Sequence, residues 1–186
     1  MNCLPYKGAK LQDITQKFSD SHKAIDWCPP NPYGKFLVAP CNGRICSIVN
    51  GATLNEDSTE LGKGWGIMVS EDDSSRYYVY WHCLPEFPVN LWQTVKQGQA
   101  IAQMGNSGKV FNNGVEVPAT DEARDKPPYP GTHLHQEVFT LNPDGTRNYI
   151  DPITLIDLSI LINPNILEAI KQTLLNMLKI LKVGGK

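Results

Sequence analysis

Hydrophobic positions follow two regimes along this chain. Between about Phe36 and Phe139 they come in short bursts separated by Gly, Pro and Asn, the pattern of a turn-rich β domain. Residues 36–39 form one burst, stopped by Pro40. Asn42-Gly43 is a hairpin signal, and residues 45–49 follow it as the next strand. Residues 67–69, 76–81, 98–102 and 133–139 read as further strands, and the aromatic, β-branched run 76–81 is the clearest of them. Ile25 and Trp27 alternate around Asp26, which predicts an extended segment there. The polar stretch 109–130, with Pro118, Pro127, Pro128 and Pro130, reads as a long loop of the kind used as a lid or insertion.

After Asn163-Pro164, an N-cap followed by Pro at the first helical position, the period changes. Leu167, Ile170, Leu174, Met177, Leu178 and Leu181 recur at helical spacing until Gly184-Gly185. The expectation is a mainly antiparallel β domain over 1–156 and an amphipathic C-terminal helix within 157–186. An apolar stripe of this kind usually packs on its own domain or on a second copy. Lys171, Lys179, Lys182 and Lys186 also permit contact with a cell envelope or membrane surface.

With a net charge of −2, the chain lacks the basic surface expected of a nucleic-acid binder. No run approaches the ~20 apolar residues of a membrane span. The N-terminus lacks the basic start and apolar core of a secretory signal. The five cysteines, Cys3, Cys28, Cys41, Cys46 and Cys83, are odd in number and lack C-x-x-C spacing, so buried or semi-buried thiols are expected, with Cys41 and Cys46, which flank a turn, the alternative as a pair.

The candidate chemistry rests on four histidines. His133 and His135 form His-Leu-His in a predicted strand, so both rings project to one face. That suits a metal ligand beside a base. His22 precedes Asp26 by one H-x-x-x-D spacing. His22, Asp26 and one of the later pair would supply three protein ligands, which leaves a position open for water, as in catalytic zinc sites. His82 ends the aromatic strand and is either functional or a hydrogen-bonded strand-end histidine. Each element alone is commonplace, and their order and context carry the weight.

That context resembles the lysostaphin/LytM-type zinc endopeptidases, a family of peptidoglycan hydrolases. Ala39-Pro40-Cys41-Asn42-Gly43-Arg44-Ile45 is similar to the family's Ala-Pro-x-x-Gly-x-Val turn, and Gly64-Trp65-Gly66 to its Gly-Tyr-Gly strand entry. Tyr80-Trp81-His82 resembles its Tyr-x-His strand. Val95-Lys96-Gln97-Gly98-Gln99-Ala100-Ile101 and Gly105-Asn106-Ser107-Gly108 match its Val-x-x-Gly-Gln-x-Ile and Gly-x-Ser/Thr-Gly elements. Gly131-Thr132-His133-Leu134-His135, with Glu137, matches its signature, and the likeness runs over roughly residues 14–156.

The resemblance implies a LytM-like β-sheet peptidase domain of the duplicated-hybrid-motif type, with one zinc per chain held by His22, Asp26 and His135. It makes His133 and His82 the catalytic pair, with the division between base and acid left open, and peptidoglycan peptide the substrate. A catalytically silent wall-binding or structural zinc module is the alternative, though such relatives lose ligands that are retained here. Without a signal, an enzyme of this kind is expected to be phage-encoded, as an endolysin or virion-associated hydrolase, reaching the cell wall from a virion or by release from the cytoplasm. Three departures stand out. Ala24 replaces the usual Gly between His22 and Asp26, Gln136 replaces an aromatic expected in the groove wall, and the 109–130 stretch is long.

Overall fold

The computed structural model describes residues 4–51, 62–72, 74–118, 121–156 and 172. All of these except Gln172 belong to one compact unit, Met1–Ile156. The predicted C-terminal helix, apart from Gln172, lies outside the described residues, as does Cys3. Among the described residues, no helix is long and apolar enough to cross a membrane.

An eight-stranded antiparallel sheet dominates. Its strands are β1 (Ile14–Gln16), β2 (Ile25–Trp27), β4 (Gly43–Asn50), β5 (Trp65–Glu71), β6 (Arg76–Cys83), β7 (Thr94–Val95), β11 (Leu134–Leu141) and β12 (Arg147–Tyr149). The order is β1-β2-β11-β6-β5-β4-β7, with β12 also on β11. Two short pairs complete the fold: β3 (Phe36–Val38) with β8 (Ala100–Gln103), and β9 (Val110–Asn112) with β10 (Val115–Val117).

The core lies where one face of the large sheet meets the β3–β8 pair. Ile25, Ile67, Val69, Tyr78, Tyr80 and Val138 are buried there with Leu37, Ile101 and Met104. Burial of such side chains contributes roughly 1.5–3 kcal/mol each. Tyr80 keeps its polar end satisfied by donating its hydroxyl to the Val38 carbonyl at 3.0 Å. The small sheet is thereby tied to the large one.

Three expectations are corrected. Asn42-Gly43 does not close a hairpin between residues 36–39 and 45–49: β3 pairs with β8, while Gly43 already pairs in register with Glu71 of β5 and Val95 of β7. No Cβ fits at Gly43, because it would meet the Ser70 carbonyl oxygen at 2.1 Å. The need for glycine there is therefore a close strand approach rather than a turn. The stretch 109–130 is no plain loop. It contains the β9–β10 hairpin, turned by Asn113 (φ 51°) and Gly114 (φ 79°), and a 3₁₀ turn at Glu122–Asp125. Two successive positive φ values are what an Asn-Gly hairpin turn demands.

Gln136 is the third correction. It is buried on the face opposite to His135, where its side-chain oxygen accepts from the Trp27 indole at 2.8 Å. Gln136 thus satisfies a buried core tryptophan and forms no part of a groove wall. No disulfide joins the described cysteines, Cys28, Cys41, Cys46 and Cys83, so Cys41 and Cys46 are not bridged to each other.

Candidate metal centre

Register assembles the site. On β11, His135 sits directly opposite Asp26 of β2 on one side and Trp81 of β6 on the other. Directly opposed residues in an antiparallel pair share a face and lie close enough for their side chains to touch. Asp26 and His135 are 109 positions apart in sequence, yet Asp26 Oδ1 is 2.9 Å from His135 Nδ1. His22, four residues before Asp26 and bridged through its backbone to Ser19, brings its Nε2 to 3.3 Å from the same oxygen. His22, Asp26 and His135 each offer a ligand atom, all within 4.8 Å of one another. Ala24, fully buried between His22 and Asp26, leaves both side chains on the cluster.

His133 precedes β11, with its backbone N–H on the Gly105 carbonyl and its Nε2 3.8 Å from Asp26 Oδ2. His82 needs a special device to arrive. Regular alternation along β6 would put it on the Tyr80 face, in the core. Instead β6 carries one extra residue against β5 between the Tyr80–Ile67 and Cys83–Trp65 pairs, and His82 itself has φ 60°. This bulge re-aims the ring to the Asp26 face. It lies 4.6 Å from the His133 ring and 5.8 Å from that of His135, centroid to centroid. All four sequence-identified histidines and Asp26 therefore meet in one place.

The hydrogen-bond pattern orients every ring. A carbonyl only accepts, so the ring nitrogen facing it carries the proton. His22 Nδ1–H donates to the Lys17 carbonyl at 3.1 Å, His82 Nδ1–H to Ser107 at 2.8 Å, and His133 Nδ1–H to Gly131 at 2.8 Å. The Nε2 atoms of His82 and His133 are left as lone pairs in the neutral rings. His135 has the reverse arrangement, with Nε2 3.2 Å from Glu137 Oε1 and Nδ1 turned to Asp26.

Glu137 is the functional residue that spacing alone did not single out. It lies two positions beyond His135 on the same face, is buried, and pairs with Lys63 and, at 3.5 Å, with Arg147. The signal was in the sequence, since 133, 135 and 137 share one strand face, but a glutamate in a strand is usually a solvated one.

Electrostatics follow from these contacts. Burial opposes ionisation of Asp26, but hydrogen bonds from His135 and His22 outweigh it and hold the carboxyl well below the usual carboxylate range. Burial likewise opposes charge on His135, and the Asp26 and Glu137 carboxylates overcome it and raise its pKa. Burial dominates at His82 and His133, pushing both pKa values down and keeping both rings neutral, with neighbouring imidazoles adding to the effect.

The donor set fits a divalent cation. Once His135 donates Nε2–H to Glu137, its Nδ1 lone pair faces a carboxylate oxygen at 2.9 Å, an arrangement that requires a positive charge. A second proton on the ring provides that charge, and a metal held there would supply it in the proton's place. Two imidazoles and one carboxylate are a borderline-soft set suited to zinc, and three protein ligands are the number found at catalytic zinc sites. Beside the cluster lies a cleft of about 650 Å³, with Asp26 and His133 in its lining and Thr15, Gln16, Phe111, Asn112 and Tyr129 among its walls.

Comparison with known proteins agrees with this geometry. The model of peptidase family M23 matches residues 20–152. Among solved structures, LytU is 25% identical with a TM-score of 0.52, over 77% of this chain and 83% of that one. A zinc-containing peptidase from Vibrio cholerae is 19% identical with a TM-score of 0.52, over 80% of this chain and 39% of that one. The antimicrobial peptidase lysostaphin from Staphylococcus simulans is 18% identical with a TM-score of 0.53, over 83% and 54%. The last two likenesses are of fold alone. No curated protein matches the chain.

Proposed function

This chain belongs to peptidase family M23 and is a zinc-dependent metallo-endopeptidase; we propose that its substrate is the peptide cross-link of bacterial peptidoglycan. One observation carries the reading: the oriented imidazoles of His22, His133 and His135 converge on buried Asp26, with His82 against the His133 ring, at the edge of an open cleft. The motifs shared with lysostaphin/LytM-type enzymes support peptidoglycan as the substrate.

His22 Nε2, Asp26 and His135 Nδ1 are the groups that would hold zinc. Bound there, zinc supplies Lewis acidity, polarising the scissile carbonyl and making water ionisable near neutral pH. His133 stands nearest the ligands, with the lone pair of its Nε2 on the cluster side, and acts as the base that removes a proton from the attacking water. His82, in ring contact with His133, has the same tautomer and an inward Nε2. The two side by side retain the abstracted proton and deliver it to the leaving amine. Once protonated, His82 also offers an N–H towards the oxygen that gains charge.

Glu137 holds His135 in the tautomer that points Nδ1 inward. Glu137→Gln is expected to weaken zinc affinity by roughly 10- to 100-fold, as loss of a carboxylate behind a ligating histidine does. Competition with a chelator of known affinity measures it, and an unchanged constant would remove Glu137 from the metal site.

The function itself is tested with purified peptidoglycan and soluble cross-linked wall peptides, with and without a zinc chelator. New free amino groups that appear only with zinc are expected, and mass spectrometry of the fragments identifies the bond. Zinc-loaded protein that binds walls without releasing amino groups would instead make this a wall-binding module.

A further inference from the structure

The hairpin-bearing stretch 109–130 reaches the catalytic histidines through one buried side chain. Arg124, in the 3₁₀ turn Glu122–Asp125, is only 6% exposed. Its guanidinium donates to the carbonyls of Asn106, of Gly108 at 2.7 Å and of Val117 at 3.3 Å. The Asn106 side chain returns the contact, donating to the Arg124 carbonyl at 2.9 Å and to that of Pro130 at 3.2 Å. A cation taken out of water and satisfied by several backbone carbonyls is a costly arrangement, and it fixes those carbonyls in direction.

The carbonyls held by the same Arg124 nitrogen, those of Asn106 and Gly108, flank Ser107. The Ser107 carbonyl between them is the acceptor that fixes the His82 ring. Ser107 is fastened on its other side as well. Its hydroxyl accepts from the Trp65 backbone N–H at 2.9 Å and donates to the Cys83 carbonyl at 2.7 Å, beside the bulge that re-aims His82. Two residues before Ser107 in this turn, the Gly105 carbonyl takes the His133 backbone N–H. The 105–108 turn is thus a common mount for both histidines, and Arg124 is the clamp that the inserted stretch places on it.

We propose that Arg124 is a positioning residue for catalysis, acting through the Ser107 carbonyl to hold His82 in its Nδ1–H tautomer and ring orientation. The proposal rests on the peptidase reading above. It makes the 109–130 stretch part of the catalytic apparatus as well as a wall of the cleft. The planar guanidinium suits this role because one nitrogen holds both carbonyls that flank Ser107 while another reaches that of Val117, a fixed fork that a single ammonium nitrogen does not reproduce.

Arg124→Met and the milder Arg124→Lys test it, with Arg124→Lys serving if Arg124→Met does not fold. On soluble wall peptides, Arg124→Met is expected to lower kcat by roughly 10-fold, the low end for loss of a residue that orients a functional side chain. KM and bound zinc should match wild type, and Arg124→Lys should recover part of the loss. Independently of turnover, nitrogen-15-edited NMR of the zinc-free protein should show the His82 Nδ1–H signal shifted or exchange-broadened in the variants, with the His133 signal in place. An unmoved His82 signal in a folded variant would overturn the proposal. So would a kcat loss that merely tracks zinc loss or a general fall in Tm. Absence of turnover by the wild-type enzyme would count against the peptidase reading instead, and the His82 signal would still decide the role of Arg124.

Discussion

Replacing His133 by alanine is expected to leave zinc bound while lowering turnover by roughly 10²- to 10⁴-fold, the range for removal of a positioned general acid or base. The expectation rests on geometry. His133 Nε2 is 3.8 Å from Asp26 Oδ2, farther from the cluster than the inward nitrogens of His22 and His135, and its ring is held by the Gly131 carbonyl rather than by a carboxylate. Metal analysis and single-turnover kinetics on the same preparation separate the two effects. A His133→Ala protein that has lost its zinc would place His133 among the ligands. One that turns over at the wild-type rate would transfer the base to His82. The His82→Ala comparison then apportions the pair, and because the rings are in contact the two losses should not add.

Asp26→Asn is the second large effect. The substitution keeps the shape of a side chain buried on β2 and removes its charge. Asp26 is the hub of the site, with His22 at 3.3 Å and His135 at 2.9 Å from one oxygen and His133 at 3.8 Å from the other. A neutral amide is a poor ligand for zinc and does not compensate the ion's charge. The loss of affinity should therefore exceed the roughly 10- to 100-fold expected from an outer partner such as Glu137. Zinc-free protein after dialysis, with the fold intact by circular dichroism, is the expected result. Retention of stoichiometric zinc would show that the metal sits elsewhere.

Much of this site was legible in the sequence because strand geometry is simple. His-x-His on a strand puts both rings on one face, and a single extended segment around Asp26 was enough to supply the facing carboxylate. His82 is a different matter. Its face depends on a bulge and a positive φ at a histidine, neither of which leaves a periodic trace in the chain. The role of Gln136 was misjudged because its partner, Trp27, is contributed by another strand. Asn42-Gly43 and Asn113-Gly114 are the same dipeptide with opposite outcomes. Only the second is flanked by two residue runs that pair with each other, Val110–Asn112 and Val115–Val117, while the first is claimed by strands on both sides. Turn chemistry proposes a hairpin, and the long-range pairing decides it.

The 109-residue separation between Asp26 and His135 has a consequence for how the protein matures. Before β2 docks on β11, the chain offers a metal only scattered, mobile donors such as the His22–Asp26 pair. Closing so long a loop precedes any gain from joining its ends. The proposed ligands therefore come together only after the central strands have aligned, and zinc is captured late, by a sheet already formed. An ion acquired in this way stabilises the finished fold by mass action and does not nucleate it. Zinc scarcity would then yield folded, inactive molecules that regain activity on addition of the metal.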